Sequence, residues 1–245
     1  MLAIPIQRPV HLKICGITRP DEIGFLDEIG VNYAGLWSGV PKGLHDLSVP
    51  DLKSLCRHPR QALKLVLVTL HHSFSILEAL IKSADLYGIQ LHGFQMPSLI
   101  RRIRGAFGDT IKIFKVLHVK NDRCTEDHLI ERYLQAGVDC FIIDTFKDQQ
   151  HIGSTGVTIS DHFLQRFISA RIRADQIMIA GGVDETNIGT ICRNYRPFGV
   201  DIDTGARVNG KISKRRVTRI VDRLCDKGTL LGSAIEPVLE ESILL

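Results

Sequence analysis

The sequence has no apolar run approaching the roughly 18 residues that a membrane-spanning helix needs. Its first ten residues hold two prolines and one arginine, and they lack the apolar stretch of a secretion signal. We therefore expect a soluble, cytoplasmic protein that does not bind membranes.

Paired cysteines are also missing: the six cysteines form no Cys-x-x-Cys pair and show no metal-ligand spacing. A chain of 245 residues buries enough apolar surface to fold without disulfides. This cysteine usage disfavours a disulfide-stapled secreted domain and indicates a reducing compartment.

The chain has no large excess of positive or negative charge. Its formal net charge is +4, and the charged residues are spread along the sequence. The densest basic run, residues 211–219, has helical spacing and no interleaved aromatic residues, which is typical of a solvated helix face. We expect no nucleic-acid partner. A small positive balance does favour an anionic small substrate, because positive potential at a concave site concentrates such molecules.

Short β-branched segments alternate with helical ones, the pattern typical of parallel strands joined by crossover helices. Eight such units predict an α/β fold of the (β/α)8 TIM barrel class. No linker divides the chain, so we expect one barrel domain over residues 1–228 and an apolar tail over 229–245 that docks on the barrel or on a partner. The predicted strands are residues 11–15, 33–37, 63–70, 87–92, 111–119, 140–144, 177–180 and 199–203.

The active site of such a barrel lies at the carboxyl ends of its strands. Lys13 and Cys15 are two residues apart at the end of the first predicted strand, so their side chains project from the same face. Cys15 is a candidate general base or nucleophile, and Lys13 is a nearby charge that would favour its thiolate. The alternative is that Cys15 is a buried packing residue.

A carboxylate ends the sixth predicted strand, where Asp144 follows the apolar residues 141–143. Placing a carboxylate there is costly unless it is paired, which favours a functional acid or base over a simple N-cap for the next loop. On opposite sides of the barrel, Cys15 and Asp144 would form a pair that takes a proton from carbon and gives one to oxygen.

Small residues follow the last two predicted strands. Gly181 and Gly182 come after the seventh strand, and Thr204 and Gly205 come after the eighth. Barrels most often bind phosphate in these two loops through backbone N–H groups, although each pair alone is also compatible with an ordinary turn. The loop at residues 153–156 is rich in donors and suits closure over a substrate.

Three histidines, His71, His92 and His118, fall near the ends of consecutive predicted strands, so a metal site has to be considered. No carboxylate accompanies them at a helical metal-binding spacing, and hydrogen bonding to substrate or packing is favoured for each. We expect no metal. An aldolase in which Lys13 or Lys115 forms a Schiff base with the substrate stays open as an alternative.

Six stretches at the strand ends resemble phosphoribosylanthranilate isomerase of tryptophan biosynthesis in their order and spacing. They are Lys-Ile-Cys-Gly-Ile-Thr at 13–18, Gln-Leu-His-Gly at 90–93, Ile-Ile-Asp-Thr at 142–145, Gly-Ser-Thr-Gly at 153–156, Ala-Gly-Gly-Val at 180–183 with Asn187, and Arg-Pro-Phe-Gly-Val-Asp at 196–201.

The resemblance implies an isomerase that converts an N-substituted 5-phosphoribosylamine into an aminoketose phosphate by an Amadori rearrangement. The family's general acid falls on Asp144 and its general base on Cys15, and no metal or organic cofactor is needed because an iminium accepts the electrons. The predicted substrate contacts are Lys13, Lys42, His45, His92, Asp201, Asp203 and Arg207, and the predicted phosphate contacts are Gly181, Gly182, Thr204 and Gly205.

The chain departs from the family pattern in three places, and one of them is the end of the third strand, where Val-Thr-Leu-His at 68–71 stands in place of the family's Val-Phe-Val-Asn. After the second strand the family carries an arginine that holds the anthranilate carboxylate, whereas this chain offers Lys42 and His45 beside Asp46. After the eighth strand Asp203 replaces a serine, and its charge close to a phosphate must be offset by Arg207 or directed to a substrate hydroxyl. The reaction type is expected to be retained while the amine portion differs.

Two other classes of function stay open. One is a barrel without turnover that binds a sugar phosphate or a partner protein, and the other is a phosphate-binding aldolase or epimerase. Retention of both Cys15 and Asp144 favours the isomerase. Its partner is then a small phosphorylated sugar amine, and the assembly is a monomer or a homodimer.

Overall fold

The structure is a computed structural model that describes residues 9–148, 151–152 and 158–225. Eight parallel strands, numbered β1 to β8 in chain order, form the barrel. They are His11–Ile14, Tyr33–Trp37, Lys64–Thr69, Gly88–Leu91, Lys112–Lys120, Cys140–Asp148, Ile177–Ile179 and Gly199–Ile202. Each strand pairs with its neighbours in the sequence, β8 pairs with β1, and the sheet closes on itself. The predicted (β/α)8 barrel is confirmed.

A helix follows each strand and covers the outside of the barrel. The helices α1 to α8 are Pro20–Glu28, Val49–Cys56, Phe74–Ser83, Pro97–Phe107, Ile130–Ala136, Asp161–Ala170, Ile188–Tyr195 and Lys214–Cys225. In α1 the carboxylate of Glu22 accepts the backbone N–H groups of Thr18 and Arg19, at 3.0 and 3.1 Å. This capping fixes the loop between β1 and α1, where the first candidate site residues lie.

Seven strands begin and end within one residue of their predicted bounds, and β6 does not. It continues four residues past Asp144 and pairs with His151–Ile152, while β5 continues to Lys120 and pairs with Arg123–Cys124. The prediction that Asp144 ends its strand is wrong: it lies within β6, opposite His118 of β5. Two adjacent strands therefore rise above the rim of the barrel.

The strands are apolar on both faces because both faces are covered. A large cluster fills the space between strands and helices. A smaller one fills the barrel interior and forms the floor below the polar mouth, meaning the end of the barrel where the strands have their carboxyl ends. Its buried members are Tyr33, Val66, Phe114, Val116, Cys140, Ile142, Met178 and Ala180.

Two predictions fall outside the described residues: the loop at 153–156 and the tail at 229–245. Within the part of the chain that the structure describes, no helix has the length and apolar character needed to cross a membrane.

Candidate active site

A buried lysine lies at the centre of the mouth. Lys13 Nζ donates to both carboxylate oxygens of Asp201 at 2.9 Å and to Cys15 Sγ at 3.1 Å. The lysine side chain is fully buried. Burial is the largest single effect and would lower the pKa of Lys13, but the charges of Asp201 and Cys15 and the hydrogen bonds to both together outweigh it and hold the pKa above its ordinary value. The predicted proximity of Lys13 and Cys15 is confirmed.

Lys13 favours the thiolate of Cys15, as expected from the sequence, but its effect on the pKa is outweighed. Burial and the charge of Asp201 raise the pKa of Cys15 to about 12, and the opposing effect of Lys13 is smaller. The lysine's charge is already neutralised by a carboxylate, which the sequence spacing of Lys13 and Cys15 does not reveal. Trp37 Nε1 also donates to Cys15 Sγ, at 3.4 Å. The thiol is thus fixed between two donors but protonated in the free protein.

Asp144 lies in a dry environment at the mouth. One oxygen accepts the backbone N–H of Thr145 at 2.8 Å, and the other is 3.8 Å from His92 Nε2. Burial first, and then the charge of Asp201, raise the pKa of Asp144 to about 7. A carboxyl group of this kind still holds a proton near neutral pH and is poised to act as a general acid.

His92 presents a neutral imidazole beside that acid. Burial, followed by the electrostatic interaction with His118, lowers the pKa of His92 well below its ordinary value. Its Nδ1 is 3.1 Å from Gln90 Nε2, and its Nε2 has no hydrogen-bond partner among the described residues. An unsatisfied buried ring nitrogen beside Asp144 supports the prediction that His92 contacts substrate.

Sequence reasoning missed Gln90 and Trp37. The Oε1 atom of Gln90 is also buried without a partner among the described residues, which leaves it able to accept a hydrogen bond from a substrate. Gln90 stands two residues before His92 on β4, the same spacing that pointed to Lys13 and Cys15. Applying that spacing to every strand end would have found it.

The backbone of the loop after β7 can come close to a bound phosphate. Gly181 and Gly182 have φ angles of 72° and 63°, a conformation that favours glycine. Asn187 holds the loop, since its Nδ2 donates to Gly182 O at 2.8 Å and its Oδ1 accepts the N–H of Asp184 at 3.0 Å. The asparagine thus supports the candidate phosphate loop without belonging to it.

The loop after β8 packs directly on the loop after β7. A short 3₁₀ helix, Thr204–Ala206, begins there. A Cβ atom on Gly205 would lie 2.1 Å from Val183 O, which leaves no room for any other residue. The structure therefore brings the two predicted phosphate loops together.

Asp203 and Arg207 form the ion pair that the sequence suggested. Arg207 Nε donates to Asp203 Oδ1 at 2.7 Å, and the two side chains are 7% and 15% exposed. The guanidinium is committed to protein groups, so the geometry favours a supporting role for Arg207 over the direct substrate contact predicted for it. Neutralising Asp203 in this way reduces its repulsion of a phosphate.

The loop after β2 reaches the same side of the mouth. The ring of His45 lies 5.4 Å from that of Trp37, and burial together with Arg207 lowers the pKa of His45. Lys42 is exposed, with a φ angle of 64°. Asp46 is turned into its own loop, where it accepts the N–H of Val40 at 2.9 Å.

Two of the histidines are not placed as metal ligands. His118 Nδ1 is 2.5 Å from Glu126 Oε1, and Glu126 is also 3.8 Å from Lys115 Nζ. The ring of His71 packs on the backbone of Gly39. Among the described residues, no group of three or more His, Cys, Asp or Glu side chains is arranged to hold a metal ion.

Both the sequence and the structure of this chain are similar to those of known phosphoribosylanthranilate isomerases. An enzyme named N-(5'-phosphoribosyl)anthranilate isomerase from Brevibacillus brevis is 29% identical over 216 residues, covering 87% of this chain and 93% of its own. The crystal structure of phosphoribosyl anthranilate isomerase from Thermotoga maritima has a TM-score of 0.73 at 23% identity, covering 89% of this chain and 99% of its own.

A further crystal structure shows phosphoribosyl anthranilate isomerase in complex with reduced 1-(o-carboxyphenylamino)-1-deoxyribulose 5-phosphate. It has a TM-score of 0.69 at 22% identity, covering 89% of this chain and 99% of its own. Residues 12–223 match the family model described as N-(5'phosphoribosyl)anthranilate (PRA) isomerase. That match runs from β1 into α8, and the chain therefore belongs to the N-(5'phosphoribosyl)anthranilate (PRA) isomerase family.

Proposed function

We propose that the protein catalyses the Amadori rearrangement of an N-substituted 5-phosphoribosylamine, phosphoribosylanthranilate or a close relative, to the aminoketose phosphate. The observation that carries this proposal is a buried carboxyl with a pKa of about 7, Asp144, in the same barrel mouth as the buried thiol of Cys15. The complex of a family member with a reduced carboxyphenylamino deoxyribulose phosphate supports the substrate class.

In the first step the acid opens the sugar ring. Asp144 gives its proton to the furanose ring oxygen as the bond from that oxygen to C1′ breaks. The lone pair of the substrate nitrogen forms the C1′=N bond, which leaves a positively charged iminium and an ionised Asp144. Asp144 has a proton to give in this step because burial keeps its carboxyl protonated at a pH where an exposed aspartate is ionised.

In the second step the base removes the proton on C2′. Cys15 must be a thiolate for this. The iminium formed in the first step adds the positive charge that lowers the pKa of the thiol, and the thiol proton passes to the ionised carboxylate of Asp144. The electron pair of the C2′–H bond forms C1′=C2′ and returns the iminium electrons to nitrogen, giving a neutral enolamine that ketonises. The C2′ proton restores the Cys15 thiol, so both groups end the cycle in the protonation states in which they began.

The aldolase alternative fits the two candidate lysines poorly. Lys13 is held as an ammonium by Asp201, and an ammonium is not a nucleophile. Lys115 is fully buried, and its Nζ lies 5.4 Å from the centre of the Tyr133 ring in α5, so its side chain points to the helix layer and not into the barrel interior. We propose a cytoplasmic protein that acts as a monomer or a homodimer.

The first prediction concerns the amine portion of the substrate. The loop after β2 lacks the family's arginine, and it offers the single exposed charge of Lys42 and a half-buried His45 whose pKa is lowered. Losing a charge-assisted bidentate contact costs about 1.5 to 3 kcal/mol. We expect the kcat/KM for phosphoribosylanthranilate to be at least about tenfold below that of a tryptophan-pathway isomerase assayed under the same conditions.

The experiment is a steady-state comparison of the two enzymes on phosphoribosylanthranilate beside a panel of phosphoribosylamines with other amines. Turnover of at least one of them supports the proposed function, and a better substrate than phosphoribosylanthranilate supports the altered amine site. Equal kcat/KM values would show that Lys42 or His45 replaces the arginine, and turnover of none would contradict the proposed reaction.

The second prediction concerns the phosphate loops. A Cβ on Gly205 would meet Val183 O at 2.1 Å, so Gly205→Ala must push the two loops apart. We expect this variant to raise the dissociation constant for inorganic phosphate at least about tenfold, because several backbone N–H groups move together.

The matched control is Gly105→Ala in α4, where a Cβ has nothing within 4 Å. Titration calorimetry with phosphate measures both variants. Unchanged binding by the Gly205 variant would place the phosphate elsewhere.

A further inference from the structure

We infer that Arg207 is a positioning residue for Cys15, an inference that rests on the proposed function for its catalytic meaning. Arg207 lies 192 residues after Cys15 in the chain, yet its Nη2 donates to the backbone carbonyl oxygen of Cys15 at 2.9 Å. The same nitrogen donates to the carbonyl oxygen of Gly16 at 2.7 Å. The backbone that carries the thiol is thus held from the loop after β8.

The guanidinium is itself held in one orientation. Its Nε donates to Asp203 and its Nη1 donates to Gly210 O at 3.1 Å, so all three nitrogens are bonded. The backbone oxygen of Arg207 accepts from Arg216 Nη1 at 3.0 Å. A planar fork with bonds in several directions holds its partners more rigidly than a single ammonium on a flexible chain does.

Gly16 lets the guanidinium approach this closely. A Cβ at that position would lie 2.5 Å from Arg207 Nη2, and the φ angle of Gly16 is 71°. Arg207 therefore packs directly on the backbone between β1 and α1.

The contact lies at the seam where the first and last strands of the barrel meet, which no crossover helix spans. There Cys15 N donates to Ile202 O at 2.8 Å. Arg207 adds side-chain bonds to this seam just above the last backbone hydrogen bond. Loosening them would let the end of β1 shift relative to β8, and Cys15 would move with it.

A small shift of the base has a large kinetic effect, since a displacement of about 1 Å can cost on the order of a hundredfold in rate. Arg207→Lys keeps a positive charge beside Asp203 but removes the fork onto the two carbonyl groups. We expect this variant to lower kcat at least about tenfold while KM changes less than about threefold, because the charge beside the phosphate loops is retained.

A second readout does not depend on turnover. Cys15 is 5% exposed, and we expect Arg207→Lys to raise its rate of alkylation by iodoacetamide at least about fivefold by easing local opening. Mass spectrometry follows each cysteine separately, so Cys56 and Cys192, which are 2% and 3% exposed, report on the rest of the fold. Both should be labelled at the wild-type rate.

The control is Arg104→Lys. Arg104 likewise donates to backbone carbonyl oxygens, those of Gly137 at 2.7 Å and Ile111 at 3.2 Å, but it does so where β5 and β6 begin, at the other end of the barrel. The inference is supported if Arg207→Lys speeds the labelling of Cys15 but not of Cys56 and Cys192, and if Arg104→Lys does not speed the labelling of Cys15. Unchanged Cys15 labelling, or equal acceleration at all buried cysteines, would overturn it.

The proposed function and the role of Arg207 can be contradicted independently of each other. If the wild-type protein turns over no phosphoribosylamine, the proposed function fails. Selective labelling of Cys15 in the Arg207 variant would still establish that the arginine holds this cysteine.

Discussion

Cys15→Ala and Asp144→Asn are each expected to lower kcat at least about a hundredfold, as removal of a general base or a general acid does. The reason differs for the two residues. Alanine leaves no group to take the C2′ proton, whereas asparagine keeps the hydrogen bond to Thr145 N but has no proton of suitable acidity to give to the ring oxygen. Steady-state kinetics on the best phosphoribosylamine of the panel measures both variants.

Matched controls come from the surface of α8, where Cys225 and Asp222 are exposed. Cys225→Ala and Asp222→Asn should turn over substrate at the wild-type rate. Circular dichroism should show the same helix content in all four variants. Near-normal turnover by the Cys15 or the Asp144 variant would rule out the corresponding proton transfer.

Asp144→Asn is also expected to stabilise the protein at pH 8. The pKa of Asp144 is about 7 in the folded protein against an ordinary value of 3.8, so the folded state keeps a proton that the unfolded chain releases as the pH rises. Stability is therefore lost between about pH 4 and pH 7, and the loss is complete above pH 7. Asparagine does not titrate, so it avoids a penalty of about 2 to 4 kcal/mol.

Urea unfolding at two pH values tests this prediction. The gain in the free energy of unfolding should be present at pH 8 and absent at pH 4, where Asp144 is protonated in the folded state. Asp222→Asn, on an exposed position, should change the free energy of unfolding by less than about 0.5 kcal/mol at either pH. A gain for Asp144→Asn that is equal at both pH values would show that ionisation is not its cause.

The fold could be predicted because the apolar pattern of a barrel is repeated eight times and each repeat is local. Only β6 was misjudged, and the reason is physical. The residues from Thr145 to Asp148 are largely polar, and they extend the strand because they pair with β5 and with His151–Ile152 above the rim. Pairing of that kind depends on a neighbouring strand, which the apolar pattern of a single strand does not report.

The site could be predicted where two residues share one strand face, as Lys13 and Cys15 do. The protonation state of Cys15 could not, because it depends on burial and on Asp201, whose carboxylate reaches Lys13 from 188 residues away. The contact of Arg207 with the backbone of Cys15 was missed for the same reason, since it exists only when β8 closes against β1.

The proposed reaction converts a phosphoribosylamine into a ketose phosphate through Asp144 and Cys15. The most direct test is carbon NMR of phosphoribosylanthranilate labelled with ¹³C at C2′, followed during incubation with the purified protein. We expect a ketone carbon signal to replace the alcohol carbon signal with the wild-type protein, and to do so far more slowly with Cys15→Ala or Asp144→Asn. If no ketone signal appears from this compound or from any other labelled phosphoribosylamine, the protein does not catalyse the proposed rearrangement.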